Sequence, residues 1–286
     1  MSSGHDHAPG FRAIRFNMDW VTRPLFGILL GLIMLAVVFY SATALAVVLA
    51  IAFIPAAFEW HRCVGGGTQY RNEAILTATT VALSEAVYLF SGMFVAGLLV
   101  ALAGTIAQFV LAMRQHKHPG WQAAGVPYLA IPALCLVALC ARQHGSLIVM
   151  GLLLIVWATD TGALIFGNLI GGPRLAPALS PGKTWAGTIG GSVTGALVFT
   201  FYISNFLGGS ALPALAFGFV FSFVAHAGDL MESLVKRRFG LKNSGALIPG
   251  HGGVLDRIDS TLASAPVMAL LVFVLHFNPL FGVHAS

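Results

Sequence analysis

The stretch from Gly228 to Asp259 concentrates groups that could do chemistry. It opens on Asp229, continues through Ser233, Lys236, Arg237, Arg238 and Lys242, and closes on Pro249-Gly250-His251-Gly252-Gly253 followed by Asp256, Arg257 and Asp259. Aspartates are hard oxygen ligands, and Mg²⁺ is typically held by one or two carboxylates together with substrate phosphates. Lysine and arginine neutralise phosphates, arginine through a planar bidentate fork. Glycines around His251 let backbone approach a ligand closely. A second polar stretch, GNLIGGPRLAPALSPGKT at 167–184, ends in Ser180, Lys183 and Thr184 just before an apolar run. Free N–H groups and the dipole at a helix start attract anions there, so a lysine and two hydroxyls suit a phosphate. The Walker A spacing is absent. A basic loop resting on anionic lipid head groups would account for the cations. It leaves the three aspartates and the PGHGG run unexplained, since acids weaken attraction to such lipids.

The elements that must position these groups are membrane helices. Of 286 residues, 57% are hydrophobic and 9% charged, and the mean hydropathy is +0.86. Soluble domains carry about 25% charged residues, so a water-soluble surface is excluded. The apolar residues come in runs that match a crossing of roughly 20 residues. A break near Tyr40–Ser41 divides 25–58 into two spans, and others are expected at 74–91, 93–113, 124–141, 147–168, 185–207, 211–228 and 261–281. The expected fold is all-α, a polytopic bundle of about nine transmembrane helices. Residues 1–24 read as a retained polar tail, with His5 and His7 in it, and 25–286 as one helical domain with its catalytic part at about 160–260.

With the N-terminus inside, every lysine and arginine except Arg142 falls on the interior side, the bias that sets membrane orientation. The expectation is a cell (inner) membrane protein with N-terminus and site cytoplasmic and C-terminus outside. Trp20, Trp60, Trp121 and Trp185 fall near span ends, as interfacial aromatics do. Gly187 and Gly191 form a GxxxG that suits close helix packing within the bundle, or a homodimer seam. Cys63, Cys135 and Cys140 lack the spacing of a disulfide framework or zinc site. Glu85 and Asp160 lie within spans, where ionisable groups usually face a cavity, a partner or a substrate path. A role in or beside the site is favoured for Asp160; for Glu85 functional and structural roles weigh equally.

These residues resemble the signature of the phosphatidate cytidylyltransferase (CDP-diacylglycerol synthase) family, S-x-x-K-R-x4-K-D, a short spacer, then PGHGG-x-x-D-R-x-D. Ser233, Lys236, Arg237, Lys242, Pro249 to Gly253, Asp256, Arg257 and Asp259 match in type and spacing. DTGA at 160–163 and LAPALSPGKTWAG at 175–187 extend the resemblance, and AAFEW at 56–60 looks like an early family segment. The chain departs at Asn243, where the family has aspartate, and at Ala186, where it has glutamate.

The resemblance implies transfer of the cytidylyl group of CTP to phosphatidate, with Mg²⁺ as cofactor. The implied catalytic residues are Asp229, Lys236, Arg237, Asp256 and Arg257, with Asp229, Asp256 and Asp259 as metal ligands. Ser180, Lys183, Thr184, Ser233, Lys242, His251, Gly252 and Gly253 would bind substrate. The partners would be CTP, phosphatidate and membrane lipids, with no nucleic acid. A paralogue acting on a different phosphorylated lipid, or a non-catalytic lipid-binding or transport relative, is the alternative.

Overall fold

The computed structural model describes residues 19–65, 70–115, 118–241, 245 and 253–280, with side chains from Gly27 onward and excepting that of Gln115. Lys242, Asn243, His251 and Gly252 lie outside the described residues. Among the described residues there are nine helices, in chain order α1 (Asp19–Tyr40), α2 (Ala42–Gly65), α3 (Arg71–Ser91), α4 (Phe94–Gln115), α5 (Pro119–Cys140), α6 (Gly145–Ile170), α7 (Trp185–Phe206), α8 (Ala211–Arg238) and α9 (Leu255–Phe273). Between α6 and α7 lies a hairpin of β1 (Arg174–Ala176) and β2 (Ser180–Thr184). Seven helices, α2 to α8, are long and apolar enough to cross a membrane. The apolar part described in α1 is shorter, Gly27–Tyr40, and α9 begins with charged residues.

The breaks follow local chemistry. Ser41 ends α1 and caps α2, its Oγ accepting the Ala44 N–H at 3.0 Å. Gly92 ends α3 in the left-handed region at φ 70°, its N–H returning to the Tyr88 carbonyl, the usual glycine C-cap geometry. Helix α5 is the inner one: 78% of its apolar window is buried, against 22% for α4 on the outside. It packs against α2, α3, α4 and α9, while α6, α7 and α8 pack on one another. At the α6–α7 seam a Cβ on Gly191 would lie 2.6 Å from the Thr159 carbonyl, and one on Gly187 2.8 Å from that of Ala163. The GxxxG thus serves close packing inside one chain.

Three expectations change. The apolar pattern ends its span at 228, yet α8 continues to Arg238, so Asp229 to Arg237 ride on its last turns. At 28 residues and 1.5 Å per residue, α8 is about 42 Å long, longer than a hydrocarbon core of about 30 Å. Hydropathy marks only the part that fits lipid, which is why the helix outruns the apolar pattern. Of the stretch 167–184, the residues up to Ile170 complete α6, and 174–184 form a β-hairpin with Arg174 opposite Thr184 and Ala176 opposite Ser180. Trp60 is 3% exposed, stacked on Tyr128 and donating to the Trp121 carbonyl at 3.0 Å, so it is a core residue; Trp185 is exposed as expected.

Candidate active site

At 3.6 residues per turn, Asp229, Glu232, Ser233, Lys236 and Arg237 share one face of the last turns of α8. That face meets the hairpin on one side and the start of α9 on the other. Lys183 of β2 forms an ion pair with Asp229. Arg237 Nε donates to the Leu179 carbonyl at 3.1 Å, fastening the hairpin tip to α8. Arg174 Nη1 donates to the Gly182 carbonyl at 3.1 Å and closes the hairpin on itself. A cavity of about 430 Å³ opens between these parts, lined by Ser180, Pro181, Gly182, Asp229, Ser233, Lys236 and Arg237. Except for the proline and glycine, every lining side chain is charged or a hydroxyl.

On the other side, Lys236 Nζ lies 2.6 Å from Asp256 Oδ1 and 3.1 Å from Glu232 Oε2. Asp256 Oδ2 accepts the Gly253 N–H at 2.9 Å, so both of its oxygens are engaged. Glu232 and Asp259 also meet side chain to side chain. Two acids in such contact need a shared proton or a cation between them. Asp160 of α6 joins this group: Ser260 Oγ donates to its Oδ1 at 3.3 Å, and Asp229, Asp259 and Lys183 all act on it electrostatically.

The close approach of α9 to α8 depends on Gly228. A Cβ there would lie 2.7 Å from the Asp259 carbonyl and 2.7 Å from Ala263 Cβ. Gly228→Val is therefore expected to push α9 outward, with an overpacking cost of about 1–3 kcal/mol. Melting temperature in detergent and CTP affinity should fall together; an unchanged CTP affinity would mean that α9 contributes nothing to the site.

The structure brings together Ser180, Lys183, Asp229, Ser233, Lys236, Arg237, Asp256 and Asp259 from the sequence reading, and sets Asp160 beside them, where that reading favoured it. Thr184 takes a different role: it is buried at the start of α7, where its Oγ1 accepts the Gly187 N–H at 3.0 Å. Arg257 is exposed on the first turn of α9, and Gly253 bonds to Asp256. Glu85 is buried in α3 with both oxygens unpartnered and no polar contact to these groups.

Two residues escaped the sequence reading. Glu232 sits four residues before Lys236, the spacing of a helical ion pair; the signal becomes visible once α8 is known to extend past 228. Glu59 of α2 is 6% exposed. Its Oε1 accepts the Val254 N–H at 3.0 Å and its Oε2 the Leu255 N–H at 2.9 Å. It thereby holds the first turn of α9, where helix N–H groups lack intrahelical partners. An acid in the apolar run AAFEW was the available signal.

The donors of the site are all oxygens and suit a hard divalent cation. Among the described residues, however, no three His, Cys, Asp or Glu side chains converge tightly enough to hold a metal by themselves. The pairing of Asp229 with Lys183 and of Asp256 with Lys236 accounts for part of this. A cation here would rely on two carboxylates and on substrate phosphates, the arrangement Mg²⁺ commonly adopts.

A bundle of long apolar helices with a charged, phosphate-suited cavity at one end defines a membrane protein built to handle anionic substrates. The model of the cytidylyltransferase family matches residues 21–275, and the chain belongs to that family. It is 40% identical over 200 residues to a phosphatidate cytidylyltransferase of Brucella melitensis, covering 68% of this chain and 70% of the relative. A phosphatidate cytidylyltransferase of Rickettsia bellii is 38% identical over 151 residues, covering 50% of this chain and 65% of that one. One from Haemophilus influenzae is 43% identical over 138 residues, covering 46% of this chain and 47% of its own length.

Proposed function

We infer that this protein transfers the cytidylyl group of CTP to phosphatidate, giving CDP-diacylglycerol and pyrophosphate in phospholipid synthesis. The observation that carries the reading is the polar cavity lined by Lys236, Arg237 and Asp229, with Lys183 paired to Asp229 at its edge and the acidic first turn of α9 beside it. Family membership and the names of the relatives support it.

A phosphate monoester has its second ionisation near pH 6, so the lipid phosphate needs no strong base to act as nucleophile. Its oxygen attacks the α-phosphorus of CTP, the bond from that phosphorus to the bridging oxygen of the β-phosphate breaks, and pyrophosphate carries the charge away. What the chain must supply is alignment and neutralisation of charge, as in phosphoryl transfers generally. Lys183, Lys236 and Arg237 clamp the phosphates; Ser180 and Ser233 donate hydroxyl hydrogens to them. Lys242, His251 and Gly252 belong to the same proposed substrate site, as do Gly253 and Arg257; Thr184 supports it by fixing the start of α7.

Asp229 and Asp256, with Asp259 beside them, are the carboxylates we propose would hold Mg²⁺, which would supply neutralisation of the substrate phosphate charge. Lys183 and Lys236 form ion pairs with two of these carboxylates. Phosphates entering the cavity compete for both lysines and release the aspartates. The exchange keeps these partly buried charges matched, which limits the cost of leaving one unpaired.

The bias of basic residues supports a reading in which this end of the bundle faces the cytoplasm, the inner membrane holds the protein, α1 and α9 complete nine crossings, and the C-terminus lies outside. Purified protein supplied with CTP, Mg²⁺ and phosphatidate should accumulate CDP-diacylglycerol, and EDTA should stop it. Formation at an undiminished rate in EDTA would remove the metal from the account. Folded protein that binds no CTP and makes no product would remove the activity.

A further inference from the structure

A second cavity, about 550 Å³, lies against α2 and is lined by Ile54, Pro55, Phe58, Glu59, Arg62, Tyr70 and Gly245. Nothing in the proposed mechanism uses it. Its lining is graded. Ile54 is 47% exposed on the outer, apolar flank of the bundle, and Pro55 and Phe58 continue that wall one turn further. Phe58 meets the Tyr70 ring edge to face at 6.4 Å between centroids. The wall then ends at Arg62, an exposed cation in the last turn of α2, and at the Tyr70 ring with its hydroxyl. A cavity that is apolar on its outer flank and offers Arg62 at the helix end, with the Glu59 carboxylate turned to the N–H groups of α9, suits an amphiphile with an anionic head.

Its position relative to the polar cavity is also defined. Glu59, in the wall of this cavity, accepts the N–H groups of Val254 and Leu255. Asp256, the next residue, accepts from Lys236, which lines the other cavity. The two cavities therefore flank a single turn of α9. Among the described residues the polar one is lined, Pro181 and Gly182 apart, by charged and hydroxyl side chains, whereas the second one offers an apolar wall to an acyl chain.

We propose that the cavity lined by Ile54, Pro55, Phe58, Arg62 and Tyr70 is the lipid subsite, where an anionic glycerophospholipid places its phosphate near Arg62 and its first acyl carbons along Ile54 and Phe58. The proposal rests on the reading of the protein as a lipid-phosphate cytidylyltransferase and deepens it: nucleotide and lipid enter from opposite sides of the first turn of α9. Arg62 acts there as an electrostatic contact for the head group, and the aromatic pair sets the depth of the lipid.

The test is a split of Michaelis constants in the purified full chain. Initial rates are measured against dioctanoyl phosphatidate at saturating CTP and against CTP at saturating phosphatidate. Arg62→Ala should raise the KM for phosphatidate about tenfold and leave the KM for CTP within about twofold, the signature of lost ground-state binding. Arg62→Lys should recover part of the loss, and Ile54→Trp, which fills the apolar end, should raise the same constant. A merely structural role would weaken both substrates together, so parallel rises in both constants overturn the proposal, as does an unchanged phosphatidate constant in all folded variants. Should Arg62→Ala not fold, Arg62→Lys and Ile54→Trp decide on the same criterion. If the wild-type protein does not turn over phosphatidate, the functional reading fails by itself. The cavity is then judged by native mass spectrometry: dioctanoyl phosphatidate retained by the wild type and lost from Ile54→Trp supports it, and equal retention overturns it.

Discussion

Replacing Lys236 with methionine is expected to lower kcat/KM by about 10²–10³, the loss typical when one preorganised donor to developing charge is removed. Lys236 stands at the centre of the site, between Glu232 on its own helix and Asp256 on α9. The methionine keeps most of the side-chain volume and removes only the ammonium group. Two consequences should appear together. Glu232 and Asp256 lose their common cation, and breaking a buried pair in this way costs about 3–5 kcal/mol where burial is complete. With side chains 4–14% exposed, somewhat less is expected here, read as a lower melting temperature in detergent. Wild-type turnover in the folded variant would show that the ion pair is structural only.

Glu59→Gln should be nearly as damaging, although Glu59 reaches no substrate in the account. Its two oxygens each accept one backbone N–H at the start of α9. Hydrogen bonds to a charged acceptor contribute about 1.5–3 kcal/mol each. Glutamine can accept only one of them and turns its own NH₂ toward the other donor. The first turn of α9 should then fray while the rest of the helix stays packed on α5 and α8. Asp256 and Asp259 ride on the affected segment, and a misplacement of about 1 Å in a positioned group can cost roughly 10²-fold in rate. The discriminating readout is the concentration of Mg²⁺ needed for half-maximal activity. It should rise in Glu59→Gln, because the carboxylates proposed for the metal are no longer held; an unchanged requirement with full turnover would contradict the anchoring role.

Much of the fold was legible because lipid imposes one rule on every span: apolar over its length, interrupted only where backbone or charge demands it. Ser41, Gly92 and the polar run after Cys140 marked breaks that the helices respect. The same rule hid the ends of α8 and the start of α9. Hydropathy is blind to a helix once it leaves the hydrocarbon, so the apolar pattern stops at 228 although the spacing of Asp229 to Arg237 is helical. The hairpin at 174–184 was hidden for another reason: its strands are too short for alternation to register, and Arg174 closes it by a bond that sequence spacing does not announce.

Among the site residues, the aspartates and lysines were visible as chemistry that neither lipid contact nor packing explained. What could not be read was their pairing. Nothing in the chain order says that Lys183 belongs to Asp229, or Lys236 to Asp256 across the segment that joins α8 to α9. Glu59, 195 residues before Val254, is the extreme case, a contact set by how α2 and α9 meet and by nothing local. Thr184 shows the converse: a hydroxyl before a helix suited a phosphate, and the helix itself claimed it.

The central claim is that the cytidylyl group, rather than a phosphoryl group, moves from CTP to a lipid phosphate. CTP labelled at the α-phosphorus and CTP labelled at the γ-phosphorus, each incubated with purified protein, Mg²⁺ and phosphatidate, test it most directly. The account expects the α-label in the organic phase as CDP-diacylglycerol and the γ-label in the aqueous phase as pyrophosphate, in equal amounts. Label from the γ-position in the lipid, or no lipid label from either position with folded, CTP-binding protein, would contradict it.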